Sequence, residues 1–171
     1  MKAHQWTKKQ VETAKNPNYS KLYVVGPALY KALGDVKDKN ILEIGCGNGY
    51  WLRTLTKKGA KCTGIDKANN QLALAKKEPF SDKINYLFGD ITKKTNLKSN
   101  YYDLVFLEHV LLEVPTIKEI RKLFEDAYRV TKKDGFLIVS DTHPIAPHLN
   151  MSNIKVGRDY SYFKEGYIYK I

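Results

Sequence analysis

An α/β fold on a mostly parallel sheet is the class this sequence predicts, and three observations predict it. From residue 40 onward, short apolar runs alternate with segments of helical periodicity. A stretch with three glycines in five positions, ILEIGCGNGYW at 41–51, follows the first of those runs directly. The chain has 171 residues, enough for one domain with a sizeable core. We therefore expect one domain over 1–171, with a helical segment at 1–34, a core at 40–141 and an aromatic tail at 142–171.

The elements follow in order. Residues 3–16 read as a helix with Trp6, Val11 and Ala14 as apolar contacts, and NPNY at 16–19 breaks it. Residues 26–33 read as a short helix, with Pro27 near its start and Gly34 near its end. NILEIG (40–45) is a buried strand. Residues 49–58 form a helix with Trp51, Leu52 and Leu55 on one face. AKCTGID (60–66) is the second strand, and a helix over 69–78 ends before Pro79. INYLFGD (84–90) and YDLVFLEH (102–109) are the third and fourth strands. Residues 116–131 carry Ile117, Ile120, Leu123, Phe124, Ala127 and Tyr128 at a period of 3.6. DGFLIVSD (134–141) is a fifth strand entered through a Gly turn. Strands separated by helices require right-handed crossovers and hence parallel pairing.

Composition narrows the function classes. Hydrophobic residues make up 43% and charged residues 27%, ordinary for a globular protein. No apolar run approaches the ~20 residues of a membrane span, and MKAHQWTKKQ lacks the apolar centre of a signal peptide. A cytoplasmic location and no membrane partner are the expectations. Cys46 and Cys62 fall near opposite ends of neighbouring strands, too far apart for a disulfide and too few for a metal site. No metal is expected. Net charge is +11, from 29 basic and 18 acidic residues, and only Arg53, Arg121, Arg129 and Arg158 are arginine. The lysines are scattered in pairs along the chain, which reads as solvated surface rather than a nucleic-acid face. A polyanionic partner is the alternative.

A parallel sheet binds ligands beyond the carboxyl ends of its strands, and the glycine-rich stretch falls there. The dinucleotide fingerprint needs glycine at relative positions one, three and six. Gly45 and Gly47 satisfy the first two, but Tyr50 occupies the sixth. No Gly-Lys-Ser/Thr follows, so a nucleoside-triphosphatase loop is absent too. Acids stand at the strand ends instead: Glu43 before the loop, then Asp66, Asp90, Glu108 and Asp141. That pattern suits a mononucleoside with a cationic tail. Asp66 can accept both ribose hydroxyls, Asp90 an exocyclic amine, and Glu43 with loop carbonyls can face positive charge.

These motifs resemble those of class I S-adenosylmethionine-dependent methyltransferases. ILEIGCGNG resembles their first motif, GID (64–66) their second-strand acid, and GDI (89–91) their adenine-contacting turn. YYDLVFLEHVLLEV (101–114) resembles the fourth strand and its loop, and TKKDGFLIVSD the fifth. The resemblance spans about residues 22–145 with every motif in order. DTHP and YSYFKEGY resemble the small-molecule, methyltransferase-11-like branch. The implied fold is a Rossmann-like three-layer sandwich with strands in the order 3-2-1-4-5. The family's final antiparallel strand pair is missing, so the chain reads as C-terminally truncated, and the open edge of strand five is expected to be covered by the tail or a second copy.

The resemblance implies roles. Glu43 and the Gly45 backbone hold the methionine amino group, helped by the Glu108 carbonyl. Cys46, Gly47, Asn48 and Gly49 form the loop beneath methionine and ribose. Asp66 holds the ribose hydroxyls, the Lys67 stem lies along the adenine, Asp90 takes the adenine amine, and the Ile91 amide donates to the ring. His143 is the candidate general base. Plainer roles stand beside these: Asp66 as a helix cap, Asp90 as a turn residue, His109 and Tyr19 as packing residues, and His143 as a shaper of the pocket. The implied reaction is in-line methyl transfer from S-adenosylmethionine to a small molecule. RNA or protein as acceptor, and a non-catalytic S-adenosylmethionine-binding module, are the alternatives. LEHV after strand four, where an Asn-Pro-Pro-Tyr-type motif is absent, argues against nucleobase amines.

Overall fold

The structure, a computed structural model, describes residues 21–141. The helix expected at 3–16 and the aromatic tail lie outside the described residues. Five strands form one sheet: β1 (Asn40–Ile44), β2 (Lys61–Asp66), β3 (Ile84–Phe88), β4 (Tyr102–Glu108) and β5 (Thr131–Ser140). Their order is β3-β2-β1-β4-β5, and every pairing is parallel. The helices are α1 (Gly26–Leu33), α2 (Tyr50–Lys57), α3 (Asn69–Ala75) and α4 (Ile117–Val130). A π-helical turn, Lys21–Val25, leads into α1.

Alternation along the strands builds a core on each face of the sheet. Ile41, Cys62, Ile84, Leu104 and Phe106 meet Leu29 and Leu33 of α1, Trp51, Leu52 and Leu55 of α2, and Leu72 and Ala75 of α3. Leu42, Ile44, Ile65, Val105 and Leu107 meet Leu123, Ala127 and Val130 of α4. Three described helices thus cover one face and α4 the other. Because β1 sits in the middle of the sheet and is buried on both faces, any polar side chain it carries is held in the interior.

The local signals act where the sequence places them. Pro27 stands in the first turn of α1, and Gly34, at φ 62°, closes it with its N–H on the Tyr30 carbonyl at 3.1 Å. Thr116 caps α4: its hydroxyl accepts from the Glu119 N–H at 3.2 Å and donates to the Glu119 carboxylate at 2.7 Å. The cysteines are free and buried.

Two boundaries differ from the sequence expectation. α3 stops at Ala75 rather than near residue 78. The fifth strand begins at Thr131, directly after α4, not at residue 134. Gly135 does not make an entry turn; it sits within β5, where the register with β4 shifts between Tyr102 and Leu104. A Cβ there would lie 2.8 Å from Thr131 Cγ2 and 3.0 Å from the Tyr102 and Asp103 carbonyl oxygens. Backbone crowding, not turn chemistry, asks for glycine. The outer edge of β5 leaves Phe136, Leu137 and Val139 66%, 37% and 40% exposed.

Candidate active site

The candidate site is the region beyond the carboxyl ends of β1, β2 and β4, where a parallel sheet of this kind takes its ligand and where the loop 45–49 follows β1. The loop hangs on β2: the Gly45 and Cys46 N–H groups donate to the Ile65 carbonyl at 2.8 and 3.2 Å, and the Gly49 N–H to the Cys46 carbonyl at 2.8 Å. Gly45, Gly47 and Gly49 all have left-handed backbone, φ 70°, 51° and 72°. Their surroundings differ. A Cβ on Gly45 would lie 2.6 Å from Val110 Cγ2, one on Gly49 would strike the Tyr86 ring, and one on Gly47 would meet nothing within 4 Å. Two glycines therefore admit protein neighbours, and the middle one faces open space.

Asp66 ends β2 with both oxygens engaged: Oδ2 accepts from the Gly47 N–H and Oδ1 from the Ala68 N–H, each at 2.7 Å. Burial raises its pKa, against the pull of the Ala68 and Gly47 amides and of Lys67. The carboxylate thus ties the glycine loop to the turn before α3, and its remaining lone pairs are what it can offer a ligand. The helix-cap reading of Asp66 is not what the structure shows: the N-cap of α3 is Ala68, with no side-chain cap hydrogen bond, and Asp66 instead braces the turn that precedes the helix. Asp90 behaves similarly: Oδ1 accepts from the Thr92 N–H at 3.0 Å and hydroxyl at 2.6 Å, while Oδ2 lies 3.9 Å from Lys93 Nζ. The Gly89 N–H donates to the Asp66 carbonyl at 3.0 Å, joining the two strand ends.

Glu43 is different. It is 3% exposed, and its Oε2 makes no hydrogen bond. Burial drives its pKa well up; Lys21 opposes this, Glu108 and Asp66 reinforce it, and Arg53 opposes it. Glu108, at the end of β4, has a side chain 6% exposed. Its Oε2 accepts from Trp51 Nε1 at 3.3 Å and lies 3.7 Å from Lys21 Nζ. Its Oε1 makes no hydrogen bond and stands 3.6 Å from His109 Nδ1. Two buried carboxylates thus converge behind the loop, incompletely satisfied by protein partners.

The remaining site residues fall into place around them. Asn48 Oδ1 accepts from the Tyr50 N–H at 3.2 Å, and its carbonyl accepts from the Arg53 guanidinium. The Cys46 side chain turns inward, where its sulfur blocks any Cβ on Gly64 at 2.7 Å, so only its backbone faces the candidate site. Lys67 is half-buried and Ile91 buried beside the end of the sheet. His109 takes φ 55° and leaves its side chain 46% exposed at the rim. His143 lies outside the described residues. Sequence reasoning missed Lys21, Trp51, Arg53 and Tyr86. Arg53 stands one helical turn after Gly49, a spacing that could have flagged it; Lys21 precedes every motif and carries no local signal.

The donor set fits a nucleoside bearing an ammonium and a sulfonium. Orphan oxygens of the buried Glu43 and Glu108 can accept hydrogen bonds from an ammonium, Gly47 leaves room for close approach, and Asp66 ends β2 and Asp90 follows β3, with Lys67 and Lys93 beside them. Among the described residues, no group of three or more His, Cys, Asp or Glu could hold a metal ion, and no helix is long and apolar enough to cross a membrane.

The state of Glu43 yields a prediction with a definite sign. Its folded pKa lies above the unfolded value, so the folded protein holds the extra proton, and stability falls as pH rises from the unfolded pKa through the folded one. Glu43→Gln removes that loss. The variant should melt higher than wild type at neutral pH, by roughly 2 °C or more, while binding S-adenosylhomocysteine about tenfold or more weakly. Thermal unfolding and calorimetry of the same samples check both halves. A variant that loses stability and keeps affinity would show that Glu43 serves the core and not the ligand.

Residues 42–139 match the family described as methyltransferase domain. The ubiquinone biosynthesis O-methyltransferase of Glaesserella parasuis serovar 5 is 31% identical over 108 residues, covering 60% of this chain and 44% of that protein. The chain spans about half the length of the curated relatives it matches. Among solved structures, an S-adenosylmethionine-dependent methyltransferase from Mesorhizobium loti superposes with a TM-score of 0.63 at 28% identity, covering 70% of this chain and 54% of that one. One from Aquifex aeolicus superposes at 0.68, covering 81% and 74%; at 21% identity it speaks to the fold alone. On fold, strand order, glycine loop and sequence match together, the chain belongs to the methyltransferase domain family, whose cofactor is S-adenosylmethionine.

Proposed function

We propose that this protein transfers a methyl group from S-adenosylmethionine to a hydroxyl oxygen of a small molecule. The observations that carry the cofactor half are the orphaned carboxylate oxygen of the buried Glu43, in the strand before the glycine loop, and the open face of Gly47 within that loop. The acceptor half rests on the similarity to ubiquinone biosynthesis O-methyltransferases such as that of Glaesserella parasuis.

When bound, the cofactor supplies an electrophilic methyl group on a sulfonium. Glu43 and the Gly45 backbone take the ammonium, with Glu108 beside them. Cys46, Gly47, Asn48 and Gly49 present backbone to methionine and ribose. Asp66 accepts the ribose hydroxyls, Lys67 packs its stem on the adenine, and Asp90 and Ile91 read the adenine edge. The leaving group is a neutral thioether, so the protein's main task is alignment. A hydroxyl acceptor must also lose its proton, which calls for a base. His143 is the proposed base. It follows Asp141, whose Oδ2 accepts from the Leu111 N–H at 2.7 Å and so anchors the end of β5 to the loop after β4.

Calorimetric titration with S-adenosylhomocysteine, NAD and ATP tests the cofactor half: only the first should bind. Turnover of phenolic acceptors with labelled S-adenosylmethionine tests the other. Binding without turnover across a broad acceptor panel would favour a non-catalytic binding module.

A further inference from the structure

Several lysines scattered in the sequence, Lys39, Lys61, Lys83, Lys132 and Lys133, fall together at the end of the sheet opposite the candidate site. Strands start there and helices end there. In the register of the sheet, Lys83 precedes the first residue of β3, Lys61 opens β2 and Lys39 precedes β1. The Lys61 N–H donates to the Lys39 carbonyl at 2.9 Å, so these two are neighbours. Beyond β4, Lys39 lines one depression of about 490 Å³ with Lys132, Lys133 and Phe136. The acids on this end, among them Asp35, Asp38, Asp82 and Asp134, are outnumbered by the lysines. Asp103 interrupts the row, but Lys132 Nζ meets its carboxylate at 2.6 Å. Helix C-termini attract cations, which accounts for Lys57 and Lys58 at the end of α2. It does not account for lysines at strand starts.

Aromatic rings interleave with this row. Phe80, 39% exposed, lies beneath Lys57 Nζ at 5.0 Å and Lys83 Nζ at 5.8 Å from its ring centre. Phe136, 66% exposed, stands at the other end. The row is linear, because it follows the sheet edge: four inter-strand steps give about 19 Å. A lipid surface would call for no line, whereas a single-stranded polynucleotide uses cations along a track and rings on which bases stack. Lysine–phosphate contacts and base stacking on phenyl rings carry no sequence information, so binding of this kind is independent of sequence.

We propose that this lysine–phenylalanine edge is a docking track for single-stranded nucleic acid. The track lies a full strand length from the glycine loop, about 20 Å for the six residues of β2. The proposal concerns this edge alone and stands apart from the choice of cofactor or acceptor.

Fluorescence anisotropy with a labelled uridine 15-mer and the full chain tests it. Binding should weaken steeply between about 50 and 200 mM salt, with a log–log slope near −2, as for about three phosphates. Lys61→Glu/Lys83→Glu should weaken it about tenfold or more, and Phe80→Ser roughly fivefold or more. Both variants should keep wild-type melting temperature and S-adenosylhomocysteine affinity. Absence of binding at 50 mM salt, variants that bind like wild type, or a preference for phosphatidylglycerol vesicles over the oligonucleotide would each overturn the proposal. Melting temperatures read alongside show that a lost signal is not lost fold.

Discussion

Asp66→Ala should lower the affinity for S-adenosylhomocysteine by roughly a hundredfold, and Asp66→Asn by about tenfold. A hydrogen bond to a charged group contributes about 1.5–3 kcal/mol, and a ribose offers two hydroxyls to one carboxylate. Losing about 3 kcal/mol is a little more than two decades in Kd. The alanine variant also frees the Gly47 and Ala68 amides, each held at 2.7 Å, so the glycine loop loses its tie to β2. The asparagine keeps one acceptor and much of that tie, and its loss is smaller. Methylthioadenosine, which has the nucleoside but no amino acid, separates the contributions. Asp66→Ala should weaken it as much as S-adenosylhomocysteine, whereas Glu43→Gln should weaken S-adenosylhomocysteine alone. Equal affinity of wild type and Asp66→Ala for both ligands would mean that Asp66 is a structural residue.

What the sequence revealed of this site, and what it hid, divides along a physical line. Features set by local chemistry were legible. The glycine run marks left-handed backbone, the acids mark strand ends, and the alternation of apolar runs fixes the sheet, whose observed order is 3-2-1-4-5. Family resemblance supplied that order; periodicity alone gave only parallel pairing. Features made by residues far apart in sequence were not legible. Lys21 reaches Glu108, 87 positions away, and nothing near either residue announces it. The side chain of Glu108 takes part through Trp51, although only its carbonyl was expected to. The lysine edge is the plainest case: Lys39, Lys61, Lys83 and the Lys132–Lys133 pair, far apart along the chain, meet because every strand starts at the same end. Strand β5 was drawn too short because the α4–β5 junction carries no Gly or Pro to mark it, and Gly135 suggested a turn where the register shift needed a bare backbone.

The largest effect on the fold is expected at Gly49. Its φ of 72° costs any Cβ-bearing residue about 1 kcal/mol, and a Cβ there strikes the Tyr86 ring, with Cε1 and Cζ each at 2.8 Å. Tyr86 is 8% exposed and packed in the core beneath the loop, so it has little room to withdraw. Overpacking of that kind costs about 1–3 kcal/mol. Gly49→Ala should therefore destabilise the protein by about 2–4 kcal/mol, a fall in Tm of roughly 4–16 °C for a chain of this size. Tyr86→Phe alone should change stability by less than about 1 kcal/mol, because the buried hydroxyl has only the Arg53 guanidinium near it and no hydrogen bond of good geometry to lose. Combined with Gly49→Ala it should restore only part of the loss: removing the oxygen relieves the nearest contact but leaves the ring carbons and the backbone strain. Gly47→Ala completes the comparison. It has similar backbone strain, φ 51°, but no neighbour within 4 Å, so it should lose only about 1 kcal/mol of stability while weakening S-adenosylhomocysteine binding more than its stability loss explains. Calorimetric melting of the four variants, with ligand titration of Gly47→Ala, reads all of these. If Gly47→Ala bound the ligand like wild type, the open face of the loop would not be where the cofactor lies.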